Sequence, residues 1–110
     1  STHKKAQGWL ILFDNDDLKK QPLAIGVGYN ILTALEKLKP SGWADWDKNK
    51  DGVMTDVGRP IYELKSPKAI TVYLELGFIT NAQYQENLKD QLFLRMLAMA
   101  IANGIDKHYN

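Results

Sequence analysis

Three kinds of pattern alternate along the chain. Gly8 to Phe13 is a short run of apolar residues without polar alternation, followed by the Asp14-Asn15-Asp16-Asp17 turn cluster, and reads as a strand buried on both faces. Beyond Pro22, apolar residues at Ala24, Val27, Ile31, Leu35 and Leu38 keep the three-and-four spacing of one helix face, and Pro40 ends that helix. From Pro40 to Pro60 no period of either kind is visible, so this stretch reads as a long loop. Ile61 to Leu64 predicts a short strand, and Lys65 to Lys68 a turn. Ile70 to Leu76, rich in β-branched and aromatic residues, predicts a buried strand that delivers Glu75 to its end. A helix is expected from Thr80 or Asn81, where Thr80 and Gln83 have capping-box spacing. A last helix is expected from about Gln91 to Tyr109, burying Leu94, Leu97, Ala98, Ile101, Ile105 and His108.

This order of strand, helix, long loop, strand, strand, helix, helix implies an α/β domain in which a mostly parallel twisted sheet carries helices on both faces. Residues 1–110 form a single domain, with 41–58 as an acidic loop inserted in it. So few strands make a thin sheet with unfinished edges, which suggests part of a larger domain. Composition changes this picture little. Hydrophobic residues at 45% and charged residues at 25% are ordinary globular values, and a net charge of +1 supplies no basic field for nucleic acid or a membrane surface. No apolar run reaches the length of a membrane span. Without cysteine there are neither disulfides nor thiolate metal sites, and the polar start Ser1-Thr2-His3-Lys4-Lys5 is not a signal peptide.

Candidate chemistry is concentrated in a few places. A carboxylate at the end of an apolar strand is costly to bury without a metal, an amine or a proton to compensate it, so Glu75 is either a working group or a solvated or lysine-paired one. His3 stands just before the first strand and is a candidate ligand or a solvated terminal residue; His108 reads as packing. In the acidic loop, with Asp47 as position 1, the residues Asn49, Asp51, Val53 (through its carbonyl) and Thr55 occupy positions 3, 5, 7 and 9 of an EF-hand-like calcium loop. Gly58 then stands where the bidentate carboxylate belongs, so the match is incomplete. Trp43 and Trp46 flank the loop and, with Trp9, could offer an apolar platform to a sugar face or a partner, or simply pack it. Gly26 and Gly28 form a lone Gly-x-Gly that fits close helix packing better than phosphate binding.

Val72-x-x-Glu75-x-Gly77-Phe78-Ile79-x-Asn81, followed after a helix by Ala98-x-Ala100-Ile101-Ala102-x-Gly104-Ile105, resembles the C-terminal part of zinc-dependent N-acetylmuramoyl-L-alanine amidases of the family 3 type. Ser1-Thr2-His3 is similar to that family's Ser-x-His segment, and Ala6-Gln7-Gly8-Trp9 to the strand after it. The resemblance implies the family's phosphorylase/hydrolase-like amidase architecture and a peptidoglycan hydrolase that cleaves the amide between N-acetylmuramic acid and L-alanine. It also implies His3 as a zinc ligand, Glu75 as the catalytic carboxylate, and an extracellular, periplasmic or cell-wall location, as for an autolysin or a phage lysin. The family's two other zinc ligands lie upstream of Ser-x-His, so an upstream segment or a second chain would supply them. The rival expectation is a non-catalytic cell-wall or protein-binding module whose acidic loop takes calcium.

Overall fold

The computed structural model describes residues 8–14, 16, 21–39, 53–55 (as backbone), 61–65, 68–77 and 80–110. Strand β1 (Leu10–Phe13) is followed by helix α1 (Gln21–Glu36) and strand β2 (Val53–Thr55), and then by the one-turn helix α2 (Tyr62–Lys65). Strand β3 (Tyr73–Glu75) and helices α3 (Ala82–Lys89) and α4 (Gln91–Tyr109) complete the order.

β1 is the central strand, as its unbroken apolar run predicts. The sheet order is β2-β1-β3, with β2 parallel to β1 (Ile11 opposite Val53) and β3 antiparallel to it (Leu10 opposite Glu75). An α/β layered fold is therefore present, while its described sheet is mixed: one pairing is parallel and one antiparallel. Successive side chains of β1 leave on opposite faces. Trp9 and Ile11 join Val27, Ile31, Leu35 and Leu97 in the main core, whereas Leu10 and Leu12 meet Leu64 of α2 on the other side. All four residues of β1 are buried. Each such side chain withdrawn from water stabilises the fold by roughly 1.5–3 kcal/mol.

Two expected elements differ. Ile61 to Leu64 forms not a strand but the start of a helical turn, closed by a Leu64 N–H to Ile61 carbonyl bond of 3.0 Å. The reason is the spacing: Ile61 and Leu64 are the two residues that meet β1, and three-residue separation puts them on one side of a helix while Tyr62 and Glu63 face water. The Pro40–Pro60 stretch, expected to hold no regular element, contains β2, three residues too short to show a period.

Asp14 and Asp16, after β1, are anchored. Lys65 at the end of α2 reaches Asp14 at 2.8 Å and Asp16 at 2.7 Å, and the Asp16 N–H donates to Asp14 Oδ1 at 3.0 Å. Gln21, the first residue of α1, donates its side-chain amide to the Asp14 carbonyl. The exit of β1, the entry of α1 and the end of α2 are thus held at one point.

α1 and α4 form the main helix pair. Gly104 makes the close approach possible, because a Cβ there would fall within 2.8 Å of the Ile31 and Asn30 backbones. The buried positions of α4 are Leu97, Ala100 and Gly104, so the expected inward stripe is misplaced. Leu94, Ala98 and Ile105 are exposed, and Ile101 and His108 only half-buried. α4 is apolar nearly all round, and the small residues Ala100 and Gly104, not the larger ones, mark the face on which two helix backbones can meet. In α1, Gly28 packs on Ile11 and Gly26 on the His108 ring, so the Gly-x-Gly serves packing. Asn30 Nδ2 lies 3.4 Å from His108 Nδ1, which joins the two helices by a polar contact near the end of α4.

Candidate functional site

Glu75 ends β3, and Gly77 follows two residues later with a positive φ. β3 is not the buried strand the pattern predicts: Tyr73 and Glu75 are exposed and Leu74 is half-buried. β3 is an edge strand among the described residues, with only β1 at its side, so an apolar run there is not enclosed. The Glu75 carboxylate consequently projects to solvent at the strand's end, on the residue opposite Leu10.

The turn into α3 determines where Glu75 sits. Gly77 adopts φ +130°, a region that side-chain-bearing residues avoid, and its missing Cβ leaves room for the Tyr84 ring. Tyr84 donates its hydroxyl hydrogen to the Leu76 carbonyl, while its own backbone N–H donates to Asn81 Oδ1 at 3.0 Å. Asn81 is therefore the N-cap of α3, and it is buried. Of the two expected starts the structure selects Asn81, since its short side-chain amide reaches the N–H three residues on. Phe93 of α4 meets the Tyr84 ring edge-on, with centroids 6.0 Å apart. A single buried tyrosine thus binds the end of β3, the cap of α3 and the flank of α4. Nothing in the periodicity singles out Tyr84; the one available signal is an aromatic placed three residues after a capping Asn.

Burial raises the Tyr84 hydroxyl above the ordinary tyrosine pKa of 10.0, and the Trp9 indole beside it acts in the opposite direction. The unfolded chain therefore releases this proton at a lower pH than the folded one does. Stability linked to Tyr84 is fully present below about pH 10 and is lost as pH rises through the folded value. In thermal melts between pH 9 and 12, Tyr84→Phe is expected to remove this component of the alkaline decline; an unchanged decline would count against it.

The remaining candidates are distributed as follows. His3, Trp43, Trp46, Asp47, Asn49 and Asp51 lie outside the described residues, as does most of the 41–58 insertion. Val53 and Thr55, the later positions of the candidate calcium loop, stand in β2 and pair with Ile11 and Phe13. Trp9 is buried beneath the sheet, so it contributes no exposed platform. Among the described residues no three His, Asp or Glu side chains converge to hold a metal. Nor is any helix among them long and apolar enough to cross a membrane.

Fold and site together define an α/β layered domain that presents one carboxylate at the end of an edge strand, ahead of a glycine turn and an Asn-capped helix. No family model matches the chain, and no curated protein does. Among solved structures the chain is similar to the CwlD amidase from Clostridioides difficile, determined in complex with the GerS lipoprotein. The TM-score is 0.71 at 24% identity, and the match covers 97% of this chain. It covers 48% of that amidase, so the chain spans about half the length of the protein it matches. At this identity the likeness is one of fold.

Proposed function

We propose that this chain is the Glu75-bearing part of a peptidoglycan amidase, hydrolysing the amide between N-acetylmuramic acid and L-alanine of the stem peptide outside the cell or at its wall. The observation that carries this reading is the amidase-like fold across nearly the entire chain, with Glu75 at the end of β3 and Asn81 capping α3. Glu75 accepts the proton of the attacking water as its oxygen bonds to the lactyl carbonyl carbon. It returns that proton to the nitrogen as the carbon–nitrogen bond breaks and L-alanine leaves as a free amine. Solvent exposure suits the role, since the substrate is a polymer that must reach the carboxylate from outside. Gly77, Asn81 and Tyr84 are positioning residues that hold the end of β3.

Zinc is proposed as the cofactor, with His3 as one ligand and the others coming from an upstream segment or a second chain. Such a metal would polarise the scissile carbonyl. The neighbour was solved with a lipoprotein bound to it, which supports protein partnering as part of the assembly.

The test is release of peptide with a new N-terminal L-alanine from purified peptidoglycan. The chain is assayed alone and joined to the sequence that precedes Ser1 in its gene, with zinc and with chelator. Release that requires both the preceding sequence and zinc is expected. Calcium binding at 47–55 without release in any combination would establish the binding-module reading instead.

A further inference from the structure

α4 is longer than its own packing accounts for. Over 19 residues it carries apolar side chains on almost every face, yet only Leu97, Ala100 and Gly104 are buried. A helix apolar all round is ordinarily enclosed. One unburied stripe runs through Leu92, Met96 and Met99 at helical spacing, with exposures of 65%, 41% and 63%. Met96 and Met99 border a groove of about 330 Å³ between α1 and α4, with Ala34 and Leu38 contributed from the α1 side.

The charge around this groove is one-sided. Lys37 and Lys107 stand among its lining residues, and no carboxylate does. The neighbouring acids are engaged elsewhere: Glu36 pairs with Lys39 at 2.9 Å, and Asp106 accepts hydrogen bonds from Asn110. Neither groove lysine makes an ion pair with a described residue.

We infer that the α1/α4 groove docks an acidic amphipathic helix of a protein partner. The groove lies between two packed helices, a concave shape that suits a third helix more than a flat bilayer. Met96 to Lys107 spans roughly 16 Å, about three helical turns. Methionine side chains adapt to varied apolar partners. The occupant carries apolar residues spaced three and four apart, with carboxylates on its flanks meeting Lys37 and Lys107. The groove is formed by α1, the residues just after it and α4, and does not include Glu75.

The probe is a helical peptide of about fifteen residues with a leucine stripe and glutamate elsewhere, compared with its lysine counterpart. Methyl NMR of the methionines reads the result. The glutamate peptide is expected to shift Met96 and Met99 and to bind less tightly as salt rises. In the double variant K37E/K107E, whose unchanged melting temperature verifies folding, the glutamate peptide is expected to bind about five- to tenfold more weakly. Absence of shifts, or equal binding of the lysine peptide, would overturn the proposal. So would shifts at these methyls on raising the protein concentration alone, which would mean a second copy, or with anionic phosphatidylglycerol vesicles in place of the peptide.

Discussion

Glu75→Gln is expected to lower the rate of muramoyl-L-alanine hydrolysis by about 10²- to 10⁴-fold in whatever assembly of this chain supports release, because the amide cannot carry the water's proton. The same change is expected to leave stability within about 0.5 kcal/mol, as usual for a surface substitution. That separation makes the experiment decisive. Glu75 is exposed and ends its strand, and no described residue forms an ion pair with it, so its replacement removes little that holds the fold. Glu75→Asp should retain part of the activity with the carboxylate drawn back by one methylene. A Gln variant that releases peptide at the parental rate would remove Glu75 from the mechanism.

Gly77→Ala is expected to give the largest loss of stability of any single-methyl change near the site. Two costs combine. A side-chain-bearing residue at φ +130° is strained by about 1–3 kcal/mol, and the new methyl must displace the Tyr84 ring, an overpacking cost of about 1–3 kcal/mol. For a domain of this size the sum, about 2–6 kcal/mol, corresponds to a fall in melting temperature of roughly 8–35 °C. Activity should fall further than the unfolded fraction explains, because moving Tyr84 releases the Leu76 carbonyl beside Glu75. Combining Gly77→Ala with Tyr84→Ala should recover the overpacking part and leave the backbone part, together with the cost of the cavity. If Gly77→Ala melts within about 2 °C of the parent protein, this account of the turn fails.

The two substitutions probe parts of one motif that were unequally legible. Glu75 stands out in the chain because a lone carboxylate at the end of an apolar run asks for an explanation. Asn81 is visible as one of two candidate helix starts, and it caps α3. Tyr84 is not visible. Its role depends on a ring packed over a residue seven positions earlier and on a hydroxyl that reaches the backbone of the strand before the turn, neither of which leaves a period. His3, the tryptophans of the acidic loop and the first positions of the calcium register stay with the resemblance and the loop spacing that suggested them.

Local chemistry determined β1, α1, the cap at Asn81 and the extent of α4, since in each an apolar period or a capping amide acts within a few residues. The tertiary structure alone decided three further matters. Ile61 to Leu64 turns as a helix because β1 needs both apolar ends on one side. β3 runs antiparallel beside β1 and keeps Glu75 in water, because strand order is set by which edges meet and not by any residue's own preference. α4 is buried on its small residues because the approach of two helix backbones selects Gly104 and Ala100 over the larger side chains that a hydrophobicity count favours.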